Sequence, residues 1–184
     1  MHSIAQRTHT CGALRPADAG TTAILHGWVD SVRDKGGVMF LILRDRYGTV
    51  QVTLDERCDA AAWTPAKTAR LEYVLEVQGQ VIERSEHSVN AKMPTGQIEV
   101  LATTVRVLSS TKPLPFTITD ETRASEEVRL QYRYLDLRRG PLQSALLTRH
   151  RAALQTRNYL DQLNFCEVET PILNRSTPEG ARDY

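Results

Sequence analysis

Cysteine is scarce in this chain and badly placed for cross-linking. Cys11, Cys58 and Cys166 are three in 184 residues, an odd number, far apart and without a Cys-x-x-Cys pair, so neither a disulfide framework nor a structural zinc site is signalled. His2, His9, His26, His87 and His150 show no metal-ligand spacing, and all five read as solvated or satisfied histidines. No apolar run approaches the roughly 20 residues of a membrane span, and residues 1–15 hold no apolar stretch of signal length. Charge of one sign is missing too. With 23 Lys and Arg against 22 Asp and Glu, the formal net charge is +1, which excludes a general polyanion binder and requires any nucleic-acid contact to be local. These absences fit a soluble, unexported protein of a reducing cytoplasm. There is no internal repeat and no low-complexity tract. What is present is 41% hydrophobic residues, enough for a packed core in one ordinary domain plus part of another.

Residues 22–108 mostly follow the period of strands. The pattern predicts strands over 23–33, 38–44 and 48–54, separated by the Gly- and Asp-containing turns 34–37 and 45–48. Residues 59–71, alanine-rich with Trp63 and Leu71, read as a short helix with Pro65 in its first turn. Strand patterning returns over 73–84 and 97–107, on either side of the polar loop 85–96. Three strands, a helix and two strands is the order of an OB-fold, a five-stranded barrel that binds oligonucleotides across strands 2 and 3. Thr111-Lys112-Pro113-Leu114-Pro115 breaks the pattern and reads as a linker. Beyond it Leu142, Leu146, Ala153, Leu160 and Leu163 recur at helical spacing, an amphipathic helix of about 33 Å. A strand-like run then closes at Pro171. The fold expected is mainly β: a barrel, a linker, then a long helix and a strand.

Strand parity selects candidate ligand-facing residues. In the third strand Val50, Val52 and Leu54 share one face and Thr49, Gln51 and Thr53 the other, so Gln51 faces solvent or ligand. In the second, Phe40 and Ile42 oppose Met39, Leu41 and Leu43. With Phe40 on the outer face beside Gln51 and Arg33, a ring, an amide and a guanidinium meet. That trio suits single-stranded RNA, because a base stacks on the ring for about 1–3 kcal/mol while the amide reads its edge and Arg holds phosphate. Parity alone also allows Phe40 in the core with Arg33 a solvated strand end, and it favours that placement. Glu86, Asn90 and Glu99 read as polar surface residues near a loop. The segment 131–139, which interleaves Tyr132 and Tyr134 with Arg133, Arg138 and Arg139, either clamps an RNA backbone or pins a hinge through Arg–carboxylate pairs. Glu179, Arg182 and Asp183 around Gly180 suit a loop closing over a small zwitterion, or a frayed terminus.

Several runs carry a resemblance: Gly27-Trp28-Val29, Arg44-Asp45, Gly48-Thr49-Val50-Gln51-Val52, Gly96-Gln97-Ile98-Glu99-Val100, Arg133-Tyr134-Leu135-Asp136-Leu137-Arg138-Arg139 and Thr177-Pro178-Glu179-Gly180-Ala181-Arg182-Asp183-Tyr184. Through them nearly the whole chain resembles the N-terminal portion of a bacterial-type aspartyl-tRNA synthetase, a class II synthetase. The last two runs are the most particular to that family; the others are shared with lysyl and asparaginyl relatives. The resemblance implies an anticodon-binding OB domain at 1–110, a hinge at 111–140 and the start of a class II α+β catalytic domain at 141–184. It implies that Phe40 stacks on the central uridine of the anticodon, that Gln51 reads it, and that Arg33, Glu86, Asn90 and Glu99 surround the neighbouring bases. This reverses the preference for Phe40 that parity gives. Ser31 and Ser88 depart from the Arg and Asn common in bacterial relatives, so contacts to the outer bases are open.

By the same resemblance, Leu142, Leu146, Ala153, Leu160 and Pro171 belong to motif 1, the dimer interface, and Glu179 contacts the ammonium group of L-aspartate. The parent enzyme, an aspartate–tRNA ligase, uses ATP and Mg2+ to form aspartyl-AMP. It then charges tRNA(Asp), or both tRNA(Asp) and tRNA(Asn), as a cytoplasmic homodimer with no membrane or DNA partner. Neither a motif 2 nor a motif 3 sequence occurs in the chain. The 184 residues alone are therefore expected to contain no catalytic residue and no metal ligand and to be inactive. Two other readings stay open at this point: a non-catalytic module binding tRNA or other single-stranded RNA, and a portion of an asparaginyl or lysyl enzyme.

Overall fold

The computed structural model describes residues 4–173, which divide into two compact units at Pro113/Leu114. In the first, β1 (Thr22–Asp34), β2 (Met39–Asp45), β3 (Gly48–Leu54), β4 (Val74–Glu83) and β5 (Ile98–Ser109) close into a barrel in the order β1-β2-β3-β5-β4. All neighbours are antiparallel except β3 and β5, which run parallel. That strand order with helix α1 (Ala60–Thr68) between β3 and β4 is the five-stranded OB-fold barrel expected from the element order.

Alternation builds the barrel's interior. Leu25 and Val29 of β1, Met39, Leu41 and Leu43 of β2, Val50, Val52 and Leu54 of β3, Leu75, Val77 and Val81 of β4, and Ile98 and Val100 of β5 are all buried in one cluster. At about 25 cal/mol per Å² of apolar surface removed from water, this cluster supplies the main stabilisation of the unit. Two tight turns set the register. Between β1 and β2, Gly36 and Gly37 take φ of 64° and 101°, Asp34 Oδ1 accepts the Gly36 N–H at 3.0 Å, and Lys35 N–H reaches the Val38 carbonyl at 2.9 Å. Between β2 and β3, Asp45 accepts from the backbone N–H groups of Tyr47, Gly48 and Cys11 at 2.7, 3.1 and 2.8 Å.

In α1, Ala62 and Ala66 are buried, and the Trp63 indole N–H donates to the Asp55 carbonyl at 3.1 Å. The expected position of Pro65 is corrected. The helix begins at Ala60, so Pro65 lies past the first turn, where it removes the N–H that would bond the Ala61 carbonyl; burial of the two alanines offsets the loss.

The second unit opens with irregular chain, followed by α2 (Glu126–Gln131), α3 (Arg133–Asp136) and α4 (Gly140–Gln162). Ser125 caps α2, its hydroxyl accepting from Val128 N–H at 3.4 Å. Pro141 sits in the first turn of α4, where a missing N–H costs nothing. Asn164, with φ of 63°, ends that helix, and Phe165 N–H closes back onto the Leu160 carbonyl at 3.0 Å. The strand-like run expected to close at Pro171 forms no strand: residues 165–171 have no ladder partner among the described residues, and a lone extended segment leaves its backbone groups to water. No described helix is long and apolar enough to cross a membrane.

Candidate nucleic-acid interface

The outer face of β1, β2 and β3 gathers most of the residues singled out in the barrel. Cross-strand register sets Arg33 opposite Phe40 and Phe40 opposite Thr53 in one row, and Ser31 opposite Ile42 and Ile42 opposite Gln51 in the next. Phe40 is half-buried and lies away from the core, because the core positions of β2 are its neighbours Met39 and Leu41. An open groove of about 550 Å³ runs over these rows, and Arg33, Phe40, Gln51 and Asn90 all line it. Lys35, Arg84, Ser88 and Met93 complete its walls.

The far wall is the loop between β4 and β5. Asn90 turns it, its side-chain oxygen accepting from Lys92 N–H at 3.1 Å and its backbone N–H donating to the Gly96 carbonyl at 3.0 Å. Thr95 ties the loop to β3 through its hydroxyl, which donates to the Thr49 carbonyl at 2.7 Å. Gly96 is required here, since a Cβ would collide with the Asn90 carbonyl. Glu86 and Glu99 are placed differently from the other four, since neither lines the groove. Glu86 lies exposed on the short 3-10 turn Glu86–Ser88.

Glu99, on the β5 position paired with Ile82, stands behind the lining and reaches it through Gln51 and Arg84. Its Oε2 accepts from Gln51 Nε2 and from Thr53 Oγ1, both at 2.8 Å, with Arg84 Nε at 3.7 Å. Arg84 is a residue the sequence reading missed. Its side chain is 4% exposed, and its Nε and Nη2 have no hydrogen-bond partner among the described residues, an arrangement that normally demands one. Burial lowers its pKa from the ordinary arginine value, and the Glu99 charge opposes that shift. The available signal was parity: Arg84 continues the outer-face series of β4 through Ile82. One end of the groove is electrically closed, because Arg44 is held by Asp30 at 2.8 Å and by Glu72. The walls otherwise carry Arg33, Lys35 and Arg84, a local cationic excess suited to phosphate.

The remaining candidates fall in the second unit. Leu142, Leu146, Ala153 and Leu160 lie within about 40° of one another on α4 at 100° per residue. Leu146 and Leu160 are 48% and 40% exposed, and Arg149 and Thr156 interrupt the stripe. Pro171 is exposed beyond the helix, and Glu179 lies outside the described residues. The arginine-rich segment 131–139 is occupied internally. Asp136, fully buried, accepts from Arg133 at 2.8 Å and Arg139 at 2.9 Å, and Arg139 also donates to the Thr119 carbonyl at 2.8 Å and to that of Asp120. Of the two readings of that segment, Arg–carboxylate pinning is the one this geometry favours. The Arg139 hydrogen bond, with help from the surrounding guanidinium charges, lowers the pKa of the Asp136 carboxyl from its ordinary value.

Residues 23–108 match the family described as OB-fold nucleic acid binding domain, and residues 125–184 match that described as tRNA synthetases class II (D, K and N). The aspartate–tRNA(Asp/Asn) ligase of Acidobacterium capsulatum is 54% identical over 179 residues, covering 97% of this chain and 29% of the relative. That of Bacillus thuringiensis is 51% identical over 181 residues, covering 98% and 31%. The chain thus spans about three tenths of the length of these curated relatives. Among solved structures, asparaginyl-tRNA synthetase from Pyrococcus horikoshii complexed with asparaginyl-adenylate aligns with a TM-score of 0.77 at 24% identity, covering 97% of this chain and 39% of that one. Aspartyl-tRNA synthetase from Entamoeba histolytica aligns at 0.75 and 22% identity, covering 89% and 40%. These two establish likeness of fold. A nucleic-acid-binding OB-fold match followed by a class II synthetase match, with relatives above 50% identity along nearly its whole length, makes this chain similar to a part, about three tenths, of the aspartate–tRNA(Asp/Asn) ligases.

Proposed function

We propose that this chain provides the anticodon-reading part of an aspartate–tRNA ligase, with residues 1–110 as the reading domain, 111–140 as the hinge and 141–184 as the opening of the catalytic domain. The observation that carries the proposal is Phe40, a half-buried ring on the outer face of a closed core, with Arg33 beside it and Gln51 in the next row of one groove. A flat ring there offers a splayed base a stacking surface, the amide supplies an edge contact, and Arg33, Lys35 and Arg84 neutralise phosphate. Asn90 and Glu99 border the bases on either side, and Glu86 acts from the rim.

In the whole enzyme, a cytoplasmic homodimer, Leu142, Leu146, Ala153, Leu160 and Pro171 meet the same residues of a second copy, and Glu179 holds the ammonium group of L-aspartate. ATP and Mg2+ belong to that parent enzyme. No group of three or more His, Cys, Asp or Glu side chains converges among the described residues, and nothing in the reading routes chemistry through a metal ion. The name carried by the bacterial relatives, aspartate–tRNA(Asp/Asn) ligase, favours acceptance of both tRNA(Asp) and tRNA(Asn).

The test is a fluorescence-anisotropy titration of the 184-residue chain with anticodon stem-loops of tRNA(Asp) and tRNA(Asn), and with a loop carrying adenine at the central position. Saturable binding to both uridine-centred loops and marked weakening on the adenine loop is the expected result. Equal binding to all three would sink the proposal.

A further inference from the structure

Thr53 has a hydroxyl on the outer face of the barrel and is nevertheless buried, with 4% of its surface exposed. It sits directly opposite Phe40 across β2 and β3. Its Oγ1 donates to Glu99 Oε2 at 2.8 Å and lies 3.4 Å from Gln51 Nε2, while Gln51 Nε2 donates to the same Glu99 oxygen at 2.8 Å. The three side chains therefore form a closed triangle. Within it the hydrogen-bond polarity is forced. A carboxylate only accepts, and the Thr53 hydroxyl, having given its proton to Glu99, offers Gln51 only lone pairs. Both neighbours thus demand the NH2 end of the Gln51 amide, and its carbonyl Oε1 is left for the groove.

Resting on the anticodon-reading function above, we propose that Thr53 is a positioning residue: Glu99 sets the sense of the Gln51 amide, and Thr53, bonded to both, holds it in place, so that the groove presents a fixed acceptor and selects a pyrimidine whose ring nitrogen carries a proton. Uracil has N3–H at the centre of its Watson–Crick edge and meets Oε1 with a hydrogen bond. Cytosine has a lone pair at that nitrogen, so two acceptors would face each other and a buried carbonyl would lose its partner. Without the Thr53 hydroxyl, one of the two groups holding the amide is gone. The amide then keeps its sense through Glu99 but can pivot about that one bond, so Oε1 is no longer held where it meets N3–H.

The experiment compares the 184-residue chain with its Thr53→Val and Thr53→Ser variants, titrating each with two anticodon stem-loops that differ only in uridine or cytidine at the central position, and melting each variant. Valine keeps the shape and strand preference of threonine, and serine restores the hydroxyl. Wild-type chain is expected to prefer uridine by roughly 5- to 100-fold, the span of one well-made base contact. The preference should collapse to within about threefold in Thr53→Val and return in Thr53→Ser. A folded Thr53→Val with the wild-type preference overturns this inference and leaves the anticodon-reading function standing. Failure of Thr53→Ser to restore the preference overturns it as well, and a wild-type chain that binds neither loop overturns both. If Thr53→Val does not fold, the decision passes to Thr53→Ala, which also removes the hydroxyl: loss of preference supports the inference, and retention overturns it.

Discussion

Phe40 and Leu41 are neighbours in the chain with opposite assignments, and replacing each by alanine separates ligand binding from folding. Leu41 is fully buried in the barrel core. Its truncation removes three side-chain carbons' worth of packing and leaves a cavity, a change that costs about 2–5 kcal/mol in well-packed cores. For a unit of this size that is a fall in melting temperature on the order of 10 °C. Phe40 lies outside that core cluster and contributes to folding through cross-strand contact with Arg33 and Thr53, worth about 0.2–1 kcal/mol, and through the covered part of its ring, which leaves no sealed cavity when removed, so its truncation should cost less than that of Leu41. As a stacking platform, however, its loss should weaken stem-loop binding by about 1–3 kcal/mol, or roughly 5- to 150-fold. The assays are thermal unfolding by circular dichroism and anisotropy titration with the aspartate anticodon stem-loop, both on the 184-residue chain. Phe40→Ala is expected to melt above Leu41→Ala and bind poorly, and Leu41→Ala to melt early yet bind normally below its transition. Similar melting losses in both variants, with unchanged binding in Phe40→Ala, would refute the division of β2 into core and ligand faces.

Salt should report on the cationic wall: Arg33→Ala is expected to flatten the dependence of log K on log salt by about 0.7, the contribution of one phosphate contact on a single strand. Gly96→Ala forces a Cβ against the Asn90 carbonyl, so the loop must shift; a loss of about 1–3 kcal/mol in stability and weaker stem-loop binding are expected, read by melting and titration. In the second unit, the Asp136 carboxyl has a lowered pKa, so its contribution is complete above the ordinary carboxylate value of about 3.9 and is lost as pH falls through its lower folded value. Asp136→Asn should therefore lower the melting temperature at pH 7 and narrow the gap to wild type in the acid range below about pH 4. Leu146→Asp with Leu160→Asp places charge on the exposed apolar stripe of α4; light scattering should show wild-type chain self-associating and the double variant monomeric, and a monomeric wild type at high concentration would count against the dimer assignment.

Alternation carries most of what the sequence reveals about the barrel. The inward series of β2 and β3 is regular and flanked by turns that contain Gly and Asp, so both the strands and their outward residues are readable. Parity favours Phe40 in the core and the structure places it outside, since Phe40 and Ile42 are as apolar as Leu41 and Leu43 and the choice depends on what closes over the barrel, which is a non-local matter. Arg84 and Thr53 were hidden for the same reason. Each is buried by elements distant in sequence, Thr53 beneath a partner 46 residues away and Arg84 in a wall with residues of other strands. Pro65 was misplaced because, as the sixth residue of a helix that begins at Ala60, it would have needed a start at least two residues later to fall in the first turn, and helix starts without a side-chain cap, as at Asp59, leave little signal. In the segment 131–139 the alternating arginines were legible, but their partner was one short-range acid, Asp136, whose complete burial no local pattern announces.

The parallel meeting of β3 and β5 pairs only Val52 with Val100 and Thr53 with Leu101, whereas β4 and β5 pair along ten positions. Every other seam of the barrel is stitched at length; this one is basted. The bonds from Gln51 and Thr53 to Glu99 cross it as side-chain sutures, so groups assigned to reading RNA also keep the cylinder shut. Breathing of the barrel should therefore begin here, with amide exchange fastest along this border, and an RNA loop lying across both edges would act as a splint.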